Sequence, residues 1–456
     1  MMRATRSLAI ALWPGSLCLA LSPLAGASAF LEEERSPTIQ LRALLEDYFK
    51  SPTSEAASEK IDGIEKLAGG DVRLIASELP WLRLWSAIPE REMVVSVDAG
   101  SQVPSDVTIR TPNAYDATQS YPAILCMPRP GRSRRDDLDV LVSLLGEAGE
   151  KFVWVRPDKP AGGSFHQPHE EGRDLRRLLR EVRRKVHIDV DRMYLFGVDS
   201  GGDAAWIAAI GYPDLFAAAV IVGGYPQLPY PEQLLRILLP NLENLPILAL
   251  WPKQVAAATS GRDGRPRSYR RFIEALAVEL NLPYQSAEFE SIRRLNPAGI
   301  EAAIQETFSR ERRLPTRFAL WYRYVEQGQT SWLRTLPPPD PGWEDQQISI
   351  LPGPKTDRAE FITEVLKSQL SYLGGEISGQ KITIETIGSQ GALVYLPLGA
   401  VDMTQPIRVD CNGRKRMDGP VQPNVRTMLE IAYEEWDFEH PAVARLGFGI
   451  HTDRRR

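Results

Sequence analysis

Residues 193–210, MYLFGVDSGGDAAWIAAI, read as a buried strand, a glycine-framed turn and a helix that begins inside the turn. A chain containing this run must build a sheet in which one strand ends at a sharp bend. Gly197, Gly201 and Gly202 frame that bend, where side chains would collide with neighbouring backbone. Asp199 stands at its tip, followed by Ser200.

Around this elbow, the order of elements points to an α/β fold. Continuous apolar runs at 123–127, 152–155, 193–198, 218–222 and 247–251 predict strands buried on both faces, and 284–289 predicts a further one. Helical patterns at about 170–186, from 201, and at 269–280 and 297–310 lie between and after them, as in βαβ units with a parallel sheet covered by helices. Shorter strands are expected before these, at 93–97 and 107–110. Residues 30–90 carry helical periodicity, and beyond 314 the pattern shifts to short alternating or aromatic runs, with one helix at 424–436. The expected organisation is a helical preface (30–90), an α/β domain (91–313) and a β-rich accessory domain (314–456).

With 456 residues the chain is long enough for several cores, and its net charge of -5 argues against nucleic acid as a partner. Residues 1–29 read as an export signal: Arg3 and Arg6 precede an apolar run, and Ala27-Ser28-Ala29 supplies small residues for cleavage. The mature protein is then expected outside the cytoplasm, beginning at Phe30 and without a stable membrane anchor; amino-terminal sequencing that returned Met1 would refute this. Cys126 and Cys411 lie in apolar runs of different domains and are expected to be buried free thiols.

The run DVDRMYLFGVDSGGDAAWIAAIGYPDLFAAAVIVGGYP, residues 189–226, resembles the α/β-hydrolase superfamily in its secreted esterase and prolyl-oligopeptidase-like branch. The resemblance covers residues 115–310 and implies an elbow of the form G-x-S-x-G with a serine nucleophile at its tip. Here the tip is Asp199; using Ser200 instead would slip the elbow by one residue and lose its first glycine. The family's early oxyanion loop falls on Met127-Pro128-Arg129-Pro130-Gly131, where two prolines lack amide hydrogens. Val255 stands where the family has its acid, the next carboxylate being Asp263, and residues 290–295 hold no histidine where the family has its base.

Two readings of Asp199 follow. Haloalkane dehalogenases and epoxide hydrolases of the same superfamily use an aspartate at the elbow as nucleophile, with a histidine to activate water. The candidate bases are His166 and His169, in the loop after the 152–155 strand on the elbow's rim. Alternatively, Asp199 caps the helix by accepting from the amides of Gly201 and Gly202, and the chain is a non-catalytic binding or structural module. Its partner would be a small molecule, a glycan or a protein. The sequence names no cofactor and, with no third or fourth ligand beside His166, His169 and Glu170, no metal site. Trp321, Tyr322, Tyr324, Trp332 and Trp343 invite a carbohydrate-binding reading, but their alternation predicts mostly core.

Overall fold

The computed structural model describes residues 36–88, 90–97, 104–129, 131, 140, 144–158, 174–253, 265–289, 297–337 and 358–449. Residues 1–29, His166, His169, Glu170, Val255, Asp263, residues 290–295 and Trp343 lie outside them.

The central sheet contains β1 (Glu92–Val97), β2 (Ser105–Arg110), β3 (Tyr121–Met127), β4 (Val153–Pro157), β5 (Ile188–Val198), β6 (Ala218–Val222), β7 (Ile247–Pro252) and β8 (Tyr284–Phe289). Its strand order is β1-β2-β4-β3-β5-β6-β7-β8. β2 is antiparallel to both β1 and β4, while β4, β3 and β5 to β8 pair in parallel, so β2 alone runs backwards. The central strands are apolar without a break because both faces are covered. On one face Leu125, Met127, Leu195 and Ile221 pack under the helices Leu175–Lys185 and Ser200–Gly211. On the other, Ile124, Cys126, Phe196 and Val220 pack with Ile304 and Phe308.

The preface forms helices Pro37–Phe49, Ser54–Ser58, Ile61–Ala68 and Val72–Glu78. They share one core with the helix Val425–Glu435, through Leu45, Phe49, Ile64, Met428 and Leu429, a pairing across the whole chain that periodicity does not reveal. Trp85 then ties the preface to the α/β domain by donating to the Arg183 carbonyl at 2.6 Å.

Beyond residue 316 come β9 (Arg317–Tyr322), β10 (Leu333–Leu336), β11 (Ser371–Ser378), β12 (Lys381–Ile387), β13 (Gly391–Pro397), β14 (Ile407–Cys411), β15 (Arg414–Gly419) and β16 (Ala442–Gly449). They form a five-stranded sheet, β15-β14-β12-β11-β9, and a three-stranded one, β10-β13-β16, which share a core of Phe318, Trp332, Leu373, Ile384, Val394 and Ala444. Tyr322, Tyr324 and Trp332 are buried. Helix Arg358–Ser368, which the sequence reading lacked, leaves this unit and lays Ile362 and Leu366 on the core of the α/β domain.

The two units meet along the free edge of β9, where side chains of the turn after helix Pro231–Leu238 take the place of a neighbouring strand. Asn241 accepts from the Trp321 amide at 2.8 Å and donates to the Trp321 carbonyl at 2.8 Å. The Glu243 carboxyl lies beside the Ala319 amide, and Asn244 donates to the Arg317 carbonyl at 2.9 Å. These three β9 residues alternate, so their polar groups point to the same edge. An exposed edge that would invite another strand is closed in this way.

Cys126 and Cys411 are buried and not joined in a disulfide. Among the described residues no helix is long and apolar enough to cross a membrane.

Candidate functional site

β5 ends at Val198, and the chain turns at Asp199 into the helix Ser200–Gly211. Asp199 has φ 49° and ψ -120°, a conformation that costs a non-glycine residue on the order of 1–3 kcal/mol. The surroundings hold it there. The Asp199 amide donates to the Val222 carbonyl at 2.8 Å, and the Asp203 amide donates to the Asp199 carbonyl at 3.0 Å. The three glycines allow the close packing: a Cβ on Gly197 would lie 2.2 Å from the Gly201 carbonyl oxygen, one on Gly201 2.5 Å from that of Met127, and one on Gly202 2.9 Å from the Gly224 Cα.

The expected cap is not formed. Asp199 makes no side-chain hydrogen bond to the first amides of its helix. At positive φ the chain enters the helix from the wrong direction for a capping side chain, which needs extended backbone at that position. The carboxylate is instead half-exposed and faces Arg129, with Oδ2 3.9 Å from Nη1. A Cβ on Gly223 would lie 3.4 Å from its Oδ1. Arg129 comes from the loop after β3, and its side chain lies across Gly201. A guanidinium thus reaches over the bend from the loop that the resemblance assigns to oxyanion binding. Ser200 is exposed as the first residue of the helix.

Asp203, which sequence reasoning passed over, lies one helical turn behind Asp199. It accepts from the Tyr225 amide at 2.8 Å and from Gln227 at 3.2 Å, while Trp206 donates to the Gly224 carbonyl at 3.1 Å. Together they strap the loop after β6 against the elbow. Burial pushes the Asp203 carboxyl above its ordinary range and the Asp199 charge adds to this, while the two hydrogen bonds oppose it. The only sequence cue was an acidic residue on the first turn of an otherwise apolar helix.

Neither described histidine reaches the elbow. His187 stands before β5, stacked on Trp85 with ring centroids 3.7 Å apart. His440 faces Asp191, early in β5, at 2.8 Å. Asp199 lies eight steps along the chain from Asp191, roughly 26 Å at ~3.3 Å per residue. Trp251 is buried and donates to the Tyr284 hydroxyl at 3.3 Å.

At the rim opposite the elbow, a groove of about 680 Å³ lies between the α/β domain and the β-rich unit, with Phe216, Leu314 and Phe318 in its lining. Arg310 and Arg313 line it beside Glu311, and Arg310 lies 3.9 Å from Glu306, so opposite charges balance there. Among the described residues no cluster of three or more His, Cys, Asp or Glu side chains could hold a metal ion.

No protein-family model matches the sequence, and no curated protein does. Among solved structures the chain is similar to a thermostable esterase, at 17% identity over 49% of this chain and 63% of that one, with a TM-score of 0.38. It is also similar to an acylaminoacyl peptidase (16%, 48% of this chain and 41% of that one, TM-score 0.36) and to fluorophosphonate-binding serine hydrolase F of Staphylococcus aureus (12%, 48% and 96%, TM-score 0.34). The chain thus spans less than two thirds of the esterase and of the peptidase. The fold is read from the strands themselves: with the order β1-β2-β4-β3-β5-β6-β7-β8, β2 alone reversed and a strained elbow closing β5, the chain has an α/β-hydrolase-like fold.

Proposed function

We propose that this protein is an exported α/β-hydrolase-fold module that binds a partner and has no serine-triad chemistry. The observation that carries the reading is the elbow tip itself: an aspartate in the strained nucleophile position, facing a guanidinium at 3.9 Å. A neighbouring positive charge stabilises a carboxylate and makes it a poorer nucleophile. Sequence supports the same conclusion, because residues 290–295 contain no histidine and the early loop reads Met127-Pro128-Arg129-Pro130. A serine hydrolase needs a histidine base and amide donors for the oxyanion, each worth orders of magnitude in rate. Export is carried by residues 1–29 alone.

The test is ester turnover. The wild-type protein and Asp199→Ser are both expected to hydrolyse p-nitrophenyl acetate at the rate of buffer. Hydrolysis by Asp199→Ser that exceeds buffer in proportion to protein concentration would reveal a base and end this reading.

A further inference from the structure

Far from the elbow, three segments meet in a cluster of charged groups: the start of β5, the linker after helix Pro297–Thr307, and the turn after helix Val425–Glu435. Asp191 of β5 receives Arg312 through Nη2 at 3.1 Å and Nε at 3.2 Å. The same Nη2 reaches Asp437 at 3.0 Å, and Nη1 donates to the Asp214 carbonyl at 3.2 Å. Both Asp191 oxygens also face Nε2 of His440, at 2.9 and 2.8 Å. Asp437 accepts from the amides of Glu439 and His440 at 3.1 and 3.2 Å, which fixes the turn that presents the imidazole.

Charge balance decides the state of that imidazole. Two carboxylates, Asp191 and Asp437, share one guanidinium, Arg312, and an imidazolium at His440 makes the inner group neutral. The groups around it lean the same way. Arg176 is paired with Asp214 and Arg192 with Asp189. Arg183 acts on Asp437 from the helix Leu175–Lys185, and Glu435, Glu439 and Tyr395 complete the surroundings. Four guanidinia therefore stand against six carboxylates, and a proton on His440 reduces the excess.

We propose that His440 is a proton-operated latch that holds the end of the β-rich unit to the start of β5. With the proton on, the imidazolium and the Asp191 carboxylate form an ion pair joined by a hydrogen bond; with the proton lost to solvent, a neutral ring faces the same carboxylate and the ion pair is gone. Burial alone would pull the His440 pKa down. The hydrogen bond to Asp191 and the charges of Asp437 and Asp191 outweigh burial and the opposing Arg312, so it is held above the ordinary 6.5. A raised folded-state pKa gives stability that is full below 6.5 and lost as pH rises through the folded value. The latch therefore holds in mildly acidic solution and loosens toward alkaline pH.

Titration of the His440 ring by NMR in the whole wild-type protein reads the proton directly and needs no variant. Thermal unfolding of wild type, His440→Gln and Asp191→Asn from about pH 5.5 to 8.5 reads its effect. The expected results are a titration midpoint above 6.5 and a wild-type melting temperature that falls by about 2 °C or more relative to His440→Gln across the window. Asp191→Asn should move the midpoint back down. A midpoint at or below 6.5 in the wild type, or wild-type and His440→Gln melting profiles of the same shape, would overturn the latch.

Discussion

Gly197→Ala is expected to destabilise the fold by about 4 kcal/mol, among the larger effects a single methyl group can have. The new Cβ would sit 2.2 Å from the Gly201 carbonyl oxygen, 2.6 Å from its carbon and 2.8 Å from the Ala205 Cβ. The first two are backbone of the elbow helix, so relief requires the helix to move off β5. That helix cannot move alone: a Cβ on Gly224 would meet Gly202 backbone at 2.2 Å, which shows how tightly the loop after β6 is pressed on its other side. Gly63, exposed on a preface helix, has nothing within 4 Å of its would-be Cβ. Gly63→Ala should therefore be neutral or stabilise by about 0.5–1 kcal/mol through helix propensity. Urea unfolding of both variants checks the contrast, and equal effects would show that the elbow is not packed as described.

Asn241→Asp is expected to cost about 3–5 kcal/mol, because it turns the donor end of a buried amide at the junction of the two units into an acceptor. The Asn241 amide nitrogen donates to two carbonyls, Ile210 at 2.9 Å and Trp321 at 2.8 Å. An aspartate would aim an acceptor with negative charge at both, at a position that is 3% exposed. Only the bond from the Trp321 amide would survive. A protonated carboxyl regains a donor, so the loss should shrink as pH falls toward about 5. Chemical denaturation at about pH 5 and pH 8 tests size and direction together; a pH-independent loss would mean that Asn241 does not face those carbonyls.

The sequence displayed some of this architecture and hid the rest for physical reasons. β6 was legible to its end residues because a strand covered on both faces, Ala218–Val222, is an uninterrupted apolar run. The helix 424–436 was equally plain, since Asn424 is its N-cap and Trp436 its C-cap. β11 was not legible. Gly374-Gly375 breaks its alternation, and the structure gives the reason at Gly375: a Cβ there would meet the Trp332 and Phe318 rings at 2.6 and 2.7 Å. Pairings between distant residues leave no periodic mark, so neither the Asn241 closure of β9 nor His440 on Asp191, 249 residues away, could be foreseen.

At the site, the glycine frame announced the elbow, and Asp199 sits at its tip. The direction of its side chain did not follow from the sequence. Capping chemistry suggested the helix amides, whereas the positive φ of the bend turns the carboxylate toward Arg129. In the sequence Arg129 stands between two prolines of the early loop, with nothing to show which way its side chain turns. Its guanidinium is what the structure brings to the bend.

An aspartate that attacks a substrate carries a chemical record that a charge-paired aspartate does not. When water cleaves an alkyl ester of Asp199 at its carboxyl carbon, an oxygen from water stays in the carboxylate. The most direct measurement is mass spectrometry of the peptide spanning residues 193–206 after incubation with a panel of alkyl halides and epoxides in heavy-oxygen water. The account predicts an unchanged mass at Asp199, with neither label nor alkyl adduct. Incorporated heavy oxygen would show a turning-over nucleophile served by a base, a stable alkyl ester would show one that attacks and stops, and either would contradict the binding-module account.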